Sequence, residues 1–234
     1  MTDGIGKALA SAIKEPAAAG PDRRGRHIFQ NHHRRCIFSV LTMMPCVGTG
    51  RLASECGISQ STAEWHIEAL MKSGYVVKYN SGRQRLFYPN GLITGEHSNF
   101  FETLNRKGRG DVFKAILANP GNTRTDIASA TGQGRRAVTA ALANLEDRGL
   151  INRVTDGALA RYYPTGLLPE RAEEYYTNSK KFSDFIIRKL ENEGGKPPTV
   201  IKKSLERVLV EMGYASDRFT MEVGINPYLT CTVC

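Results

Sequence analysis

Between Ser59 and Gly74 the sequence reads SQSTAEWHIEALMKSG. At helical spacing, Ala63, Ile67, Leu70 and Met71 fall on one side and Gln60, Ser61, Thr62, Glu64 and Trp65 on the other. Those outward side chains are of types that can contact a nucleic-acid duplex. Glutamine pairs bidentately with adenine, hydroxyls bond to bases or phosphates, and an indole covers a thymine methyl or a sugar. Trp65 reads equally well as an anchor for a protein partner. His66, at an inward or lateral position, reads as a packed imidazole. Further along, GQGRRAVTAALANLEDRG sets Arg135, Arg136, Thr139 and Ala140 on the corresponding surface. Arginines there suit guanine O6 and N7, or phosphate.

Other chemistry is sparse. The sequence has no P-loop, GxSxG, HExxH or dinucleotide-binding glycine pattern, so it does not read as an enzyme and calls for no cofactor. Cys231 and Cys234 form a CxxC, which can bind zinc or close a disulfide, yet a structural zinc site needs a second pair. With five cysteines, an odd number in no framework spacing, reduced thiols are expected, Cys36 among the core residues.

These segments recur because the chain repeats itself at a spacing of 75 residues: Arg34 returns as Arg109, Pro45 as Pro120, Gly57 as Gly132, Gly74 as Gly149, and Tyr88-Pro89 as Tyr163-Pro164. Each copy parses alike. A first helix spans about Arg34–Met44 or Asp111–Asn119. A second starts near Arg51 or Asp126 and stops at Gly57 or Gly132, and a third stops at Gly74 or Gly149. Two strands follow, with turns at Asn80-Ser81-Gly82 and Thr155-Asp156-Gly157. Three helices with a terminal hairpin make a winged helix-turn-helix. The fold class expected is mainly α with small β-hairpin wings (α+β).

Two tandem winged domains, residues 31–92 and 108–168, are therefore expected, joined by a linker (93–107) with a short helix near Phe100–Leu104. Residues 1–30 read as a weak helix (Ile5–Lys14) and a basic linker. Residues 169–234 read as a helix around Arg171–Glu193, another around Pro198–Met212, and a strand or two in the tail. Their aromatic and aliphatic stripes exceed what two short helices hide internally, which implies a homodimer.

The net charge of +9 is concentrated in residues 1–170, with 22 Lys and Arg against 14 Asp and Glu; residues 171–234 hold 10 against 9. A field of that kind favours polyanions such as double-stranded DNA. Arg34 and Arg35, with Arg23, Arg24, Arg26, His27, His32 and His33, read either as a phosphate clamp or as a solvated run, as do Arg106, Lys107 and Arg109. Arg161, on the second hairpin, joins the candidate contacts. No apolar run is long enough for a membrane helix and no secretory signal is apparent, so a cytoplasmic, nucleoid-associated location is expected.

The segment SQSTAEWHIEALMKSGYV resembles the recognition segment of ArsR/MarR-like winged-helix regulators, and HHRRCIFSVLTMMP resembles the first helix of archaeal winged-helix regulators, some of which carry two such domains. The resemblance covers residues 31–92 well and 107–168 more loosely, and it does not place 171–234. It implies that Ser59 or Ser61 caps the recognition helix, that Gln60 to Trp65 face DNA, and that Arg83 and Arg85 reach phosphates or the minor groove. ArsR-type metal sensors carry a cysteine motif on that helix, which is absent here. The expected function is sequence-specific regulation of transcription, with contact to the transcription machinery; the alternative is a tandem protein-interaction or chromosome-architecture module.

Overall fold

The computed structural model describes residues 27–106, 108–193, 196–214 and 217–231. After a short 3-10 turn at Ile28–Gln30, helix α1 spans His32–Met43, α2 Thr49–Cys56 and α3 Gln60–Lys72, followed by strands β1 (Val76–Ser81) and β2 (Gln84–Pro89). Helix α4 (Gly95–Asn105) leads to α5 (Arg109–Ala118), α6 (Arg124–Thr131), α7 (Arg135–Asp147), β3 (Ile151–Asp156) and β4 (Leu159–Pro164). Helices α8 (Leu167–Glu174) and α9 (Tyr176–Glu191) then precede a three-stranded antiparallel sheet and a final turn of helix, α10 (Pro227–Thr230). The strands of that sheet are β5 (Lys196–Lys203), β6 (Arg207–Tyr214) and β7 (Asp217–Gly224), in that order. This is a mixed α+β fold with small antiparallel hairpins.

The same order of elements thus occurs twice, and local chemistry explains the agreement. Both second helices end on a left-handed glycine, Gly57 at φ 63° and Gly132 at φ 65°, a conformation that a Cβ disfavours. The hairpins share one register, with Val76 opposite Pro89 and Ile151 opposite Pro164. Their turns fall one residue later than expected, at Gly82-Arg83 and Gly157-Ala158. A further strand fragment pairs with each second hairpin strand: the Cys46 N–H donates to the Phe87 carbonyl (2.9 Å), and the Gly121 N–H to that of Tyr162 (2.8 Å). In the first unit Ile37, Phe38, Leu41, Leu52, Ile67 and Leu70 are buried together, and in the second Val112, Ile116, Ile127, Val138, Leu142 and Leu145.

Beyond Leu167 the structure corrects the expected elements. The long helix breaks at Tyr175, and the expected helix over Pro198–Met212 is instead the β5–β6 hairpin. Val208, Val210 and Met212 alternate inward, with Met221 and Val223 beside them on β7. This period of two buries one sheet face. That face lies on the first unit: the Ser39 hydroxyl donates to the Glu222 carbonyl (2.6 Å), the Gly224 N–H to Thr42 Oγ1 (2.9 Å), and the Thr230 hydroxyl to the Met43 carbonyl (3.1 Å). Much of the apolar surface from which a dimer was inferred is therefore covered within the chain. At the sheet edge, Pro197, Pro198, Lys196, Lys202, Lys203 and two register shifts in β5 discourage pairing with another strand.

The rings of Phe100, Phe101 and Tyr175 pack around Tyr228, whose hydroxyl lies 2.5 Å from His97 Nδ1. The expectation of reduced thiols throughout is also corrected, since Cys36 and Cys56 form a disulfide joining α1 to the end of α2. Of the N-terminal helix and linker expected over residues 1–30, residues 1–26 lie outside the described residues and Ile28–Gln30 form the 3-10 turn. No helix among the described residues is long and apolar enough to cross a membrane.

A Cβ on Gly224 would stand 2.6 Å from the Thr42 carbonyl oxygen, a backbone atom that cannot swing aside. Gly224→Ala is therefore expected to lower the unfolding free energy by about 1–3 kcal/mol, as overpacking does. Urea denaturation checks this, and an unchanged midpoint would separate the sheet from α1.

Candidate nucleic-acid interface

Helix α3 begins where Ser59 turns its hydroxyl back onto the Thr62 N–H (3.1 Å), so Ser59, and not Ser61, is the cap. Ser61 and Thr62 instead bring their hydroxyls to 3.0 and 2.8 Å from Ser59 Oγ. Gln60 is exposed and donates through Nε2 to Glu64 Oε1 at 3.2 Å, so its amide is pre-oriented but accessible. Trp65 is 52% exposed, and the Arg34 guanidinium sits over its ring, 5.5 Å from the centroid. Ala63, Ile67 and Leu70 form the buried side.

Arg83 and Arg85 are exposed at and beside the hairpin turn. A groove of about 400 Å³ runs between hairpin and helix, lined by Gly48, Thr49, Arg51, Gln60, Glu64 and Arg85. Arg51, ion-paired to Glu55 at 2.7 Å, is a cation the sequence reading passed over. Its place in the first turn of α2 is the signal that could have found it, since a helix N-terminus attracts phosphate.

The two remaining arginines of the first unit are bound internally. Arg34 Nη1 donates to the Ile28 carbonyl at 3.3 Å. Arg35 Nη1 donates to the carbonyls of Phe29 (2.6 Å) and Gln30 (2.9 Å), and its guanidinium lies 4.6 Å from the Phe219 ring centroid. Partial burial lowers its pKa from the usual arginine value. Arg35 is thus a strut between the 3-10 turn, α1 and β7. Of the run grouped with it, His27 is buried, its Nδ1 accepting from the Phe29 N–H, and Arg23, Arg24 and Arg26 lie outside the described residues.

In the second unit, Arg135, Arg136, Thr139 and Ala140 all project outward from the first two turns of α7. Neither guanidinium has an ion-pair or hydrogen-bond partner among the described residues, whereas the Thr139 hydroxyl donates to the Arg135 carbonyl at 2.8 Å. Arg161 is tied down: Nε donates to Asp156 Oδ2 (2.7 Å), which raises its pKa, and Nη1 to the Gly121 carbonyl (3.1 Å). Arg153, exposed on β3, is another cation the sequence reading omitted. Its outward strand position marked it. Arg106 pairs with Glu102 at 3.3 Å, burial lowers the pKa of Arg109, and Lys107 lies outside the described residues.

Cys231 is half-buried with its Sγ 3.5 Å from the Tyr228 carbonyl oxygen, and Cys234 lies outside the described residues. Among the described residues no group of three or more His, Cys, Asp or Glu is placed to hold a metal ion.

His66 is buried beneath this surface, its ring 4.7 Å from that of Trp65 and 5.4 Å from that of His33. Burial, then the charge of Arg34, then the neighbouring imidazoles lower its pKa from 6.5 to about 4. Between those values the unfolded chain binds the proton and the folded one does not. Stability is thus complete above about pH 6.5 and is lost as pH falls toward 4, by about 3 kcal/mol at most. His66→Leu is expected to flatten that dependence in urea titrations at pH 4.5 and 7; an unchanged slope would remove His66 from the linkage.

Comparison with known proteins bears on the second unit. Residues 109–152 match the family described as winged helix-turn-helix DNA-binding. No curated protein matches the chain. Among similar solved structures, the transcriptional regulator SlyA is 20% identical over 42% of this chain and 80% of its own, with a TM-score of 0.27. ScpB from Mycobacterium tuberculosis is 17% identical over 59% and 93%, with a TM-score of 0.25. The DIP2311 protein from Corynebacterium diphtheriae is 14% identical over 58% of this chain and 27% of its own, with a TM-score of 0.23. Likenesses so distant do not bear on function. The family match falls on the copy whose resemblance to winged-helix regulators is the looser in sequence, and the chain carries a winged helix-turn-helix DNA-binding domain there.

Proposed function

We propose that this protein is a sequence-specific regulator of transcription that enters the major groove with α7, and with α3 of a first winged domain in tandem. The observation that carries the reading is the exposed pair Arg135 and Arg136, without partners among the described residues, at the start of the third helix of the matched segment. A guanidinium in that position can fork onto guanine O6 and N7 or hold a phosphate. Arg83 and Arg85 on the first hairpin, with Arg153 on the second, extend the positive track along the backbone. In this reading the chain acts on chromosomal DNA in the cytoplasm.

A homodimer on a palindromic operator belongs to the proposal. Its contacts would draw on the apolar side chains of residues 169–234 that stay exposed, among them Tyr176, Phe185, Ile201 and Leu205. A second reading is favoured for the first unit by the surface of α3 itself. Glu64 and Glu68 flank the half-exposed Trp65. Carboxylates so placed are repelled by phosphates, while an exposed indole is a common protein anchor, so that unit could dock the transcription machinery.

Selection of bound sequences from a random duplex library at physiological salt tests the proposal: an enriched motif is expected, and recovery of unenriched DNA would favour the partner-module reading. Arg135→Ala with Arg136→Ala should weaken binding and, where these groups hold phosphates, shallow the log–log salt slope by about 0.9 per lost contact. Arg83→Ala with Arg85→Ala should weaken binding across sequences, and Gln60→Ala should change which sequences are preferred. Normal binding by the α7 double variant would defeat the assignment of the second unit. Normal binding by the other variants would leave the first unit to a protein partner.

A further inference from the structure

We propose that the Cys36–Cys56 disulfide is a redox-responsive brace on the first winged unit, opened by small thiols and closed by small disulfides, that controls how firmly α3 is held against α1. The regulation rests on the DNA-reading proposal above; the brace itself does not. The bond links the second turn of α1 to the last residue of α2 across a Cα–Cα distance of 5.8 Å. The turn into α3 follows at once: Gly57 is left-handed, the Ile58 N–H returns to the Ala53 carbonyl (3.0 Å), and Ser59 caps α3. Closed, the bond fixes the start of the turn that presents Gln60 and Ser61. Open, it leaves that turn to short-range hydrogen bonds and packing.

The second unit is an internal control. At the positions equivalent to Cys36 and Cys56 it has Asp111 and Thr131, with the same helices and the same left-handed glycine. A hydrogen bond from Gln133 Nε2 to the Gly108 carbonyl (2.9 Å) braces its turn to the start of α5 instead. The fold therefore does not require a cross-link at this place. Both bridged cysteines are only partly buried, so a small thiol can approach. Cys46, in contrast, is fully enclosed, and burial pushes its thiol up to about 12, which keeps it protonated and out of the exchange.

In the opening reaction, the thiolate of glutathione or dithiothreitol attacks one sulfur and forms a mixed disulfide, and the other sulfur leaves with the bonding electron pair and takes a proton. A second thiolate then displaces the protein sulfur, so two reductant thiols become one disulfide and the protein gains two thiols.

The test uses the full chain equilibrated in oxidised or reduced glutathione, or in dithiothreitol, with the thiol state read by alkylation and mass. Hydrogen exchange of amides 57–62 is expected to be about tenfold faster in the reduced protein. Its affinity for the selected duplex is expected to fall about five- to tenfold, with recovery on reoxidation. Cys36→Ser with Cys56→Ser should match the reduced protein under both conditions, and Cys46→Ser should switch like the unsubstituted chain. Identical exchange in the two states, or a bond that persists in excess dithiothreitol, overturns the brace. A response in exchange without any duplex binding by the oxidised protein would retain the brace and reject the DNA reading.

Discussion

Helix α1 is buried from two sides, and the rest of the architecture follows from that. One side meets α2 and α3 through Ile37, Phe38 and Leu41, closing the core of the first three-helix unit. Another meets β7, close enough that Gly224 approaches the Thr42 carbonyl with no room for a side chain. A helix clamped this way has little freedom to rotate or slide, because buried side chains and a close backbone approach hold it on both sides. Everything α1 anchors inherits that rigidity, including the disulfide to α2 and, through Arg34, the stacked face of Trp65.

The two third helices stand on similar scaffolds yet present different chemistry. α3 shows an amide, hydroxyls, an indole and two carboxylates; α7 shows two arginines, a threonine and alanines. Long-range attraction to a polyanion scales with charge, whereas discrimination between bases depends on short, directional contacts. In the proposed scheme α7 therefore supplies most of the attraction, and α3 adds selectivity or a partner contact.

What could be read from sequence was what local periodicity encodes. Outward positions such as Gln60 and Arg135 were legible because a helix with one apolar face leaves little choice for the other. Residues 198–212 were misread because Ile201, Leu205, Val208, Leu209 and Met212 also fit a helical spacing. The competing signal, β-branched Thr199-Val200-Ile201 followed by alternating Val208, Val210 and Met212, prevailed once β7 was there to pair. Arg35 and Arg161 looked as available as Arg136. Some of their partners, Phe29, Gln30 and Asp156, lie five or six residues away, but Gly121 and Phe219 are brought up only by the fold. The Cys36–Cys56 bridge was hidden for the same reason, since a separation of 20 residues does not announce a Cα distance of 5.8 Å.

The return of β6 and β7 to α1 also orders events in time. Ser39 bonds to Glu222 and Thr42 to Gly224, while α5 through β4 pack among themselves and against α4, which immediately precedes them. Closing a chain across nearly two hundred residues is entropically slower than closing one within a few dozen. On a ribosome synthesising from the N-terminus, the second winged unit can be complete while α1 still has one face bare. That face stays exposed until the sheet arrives.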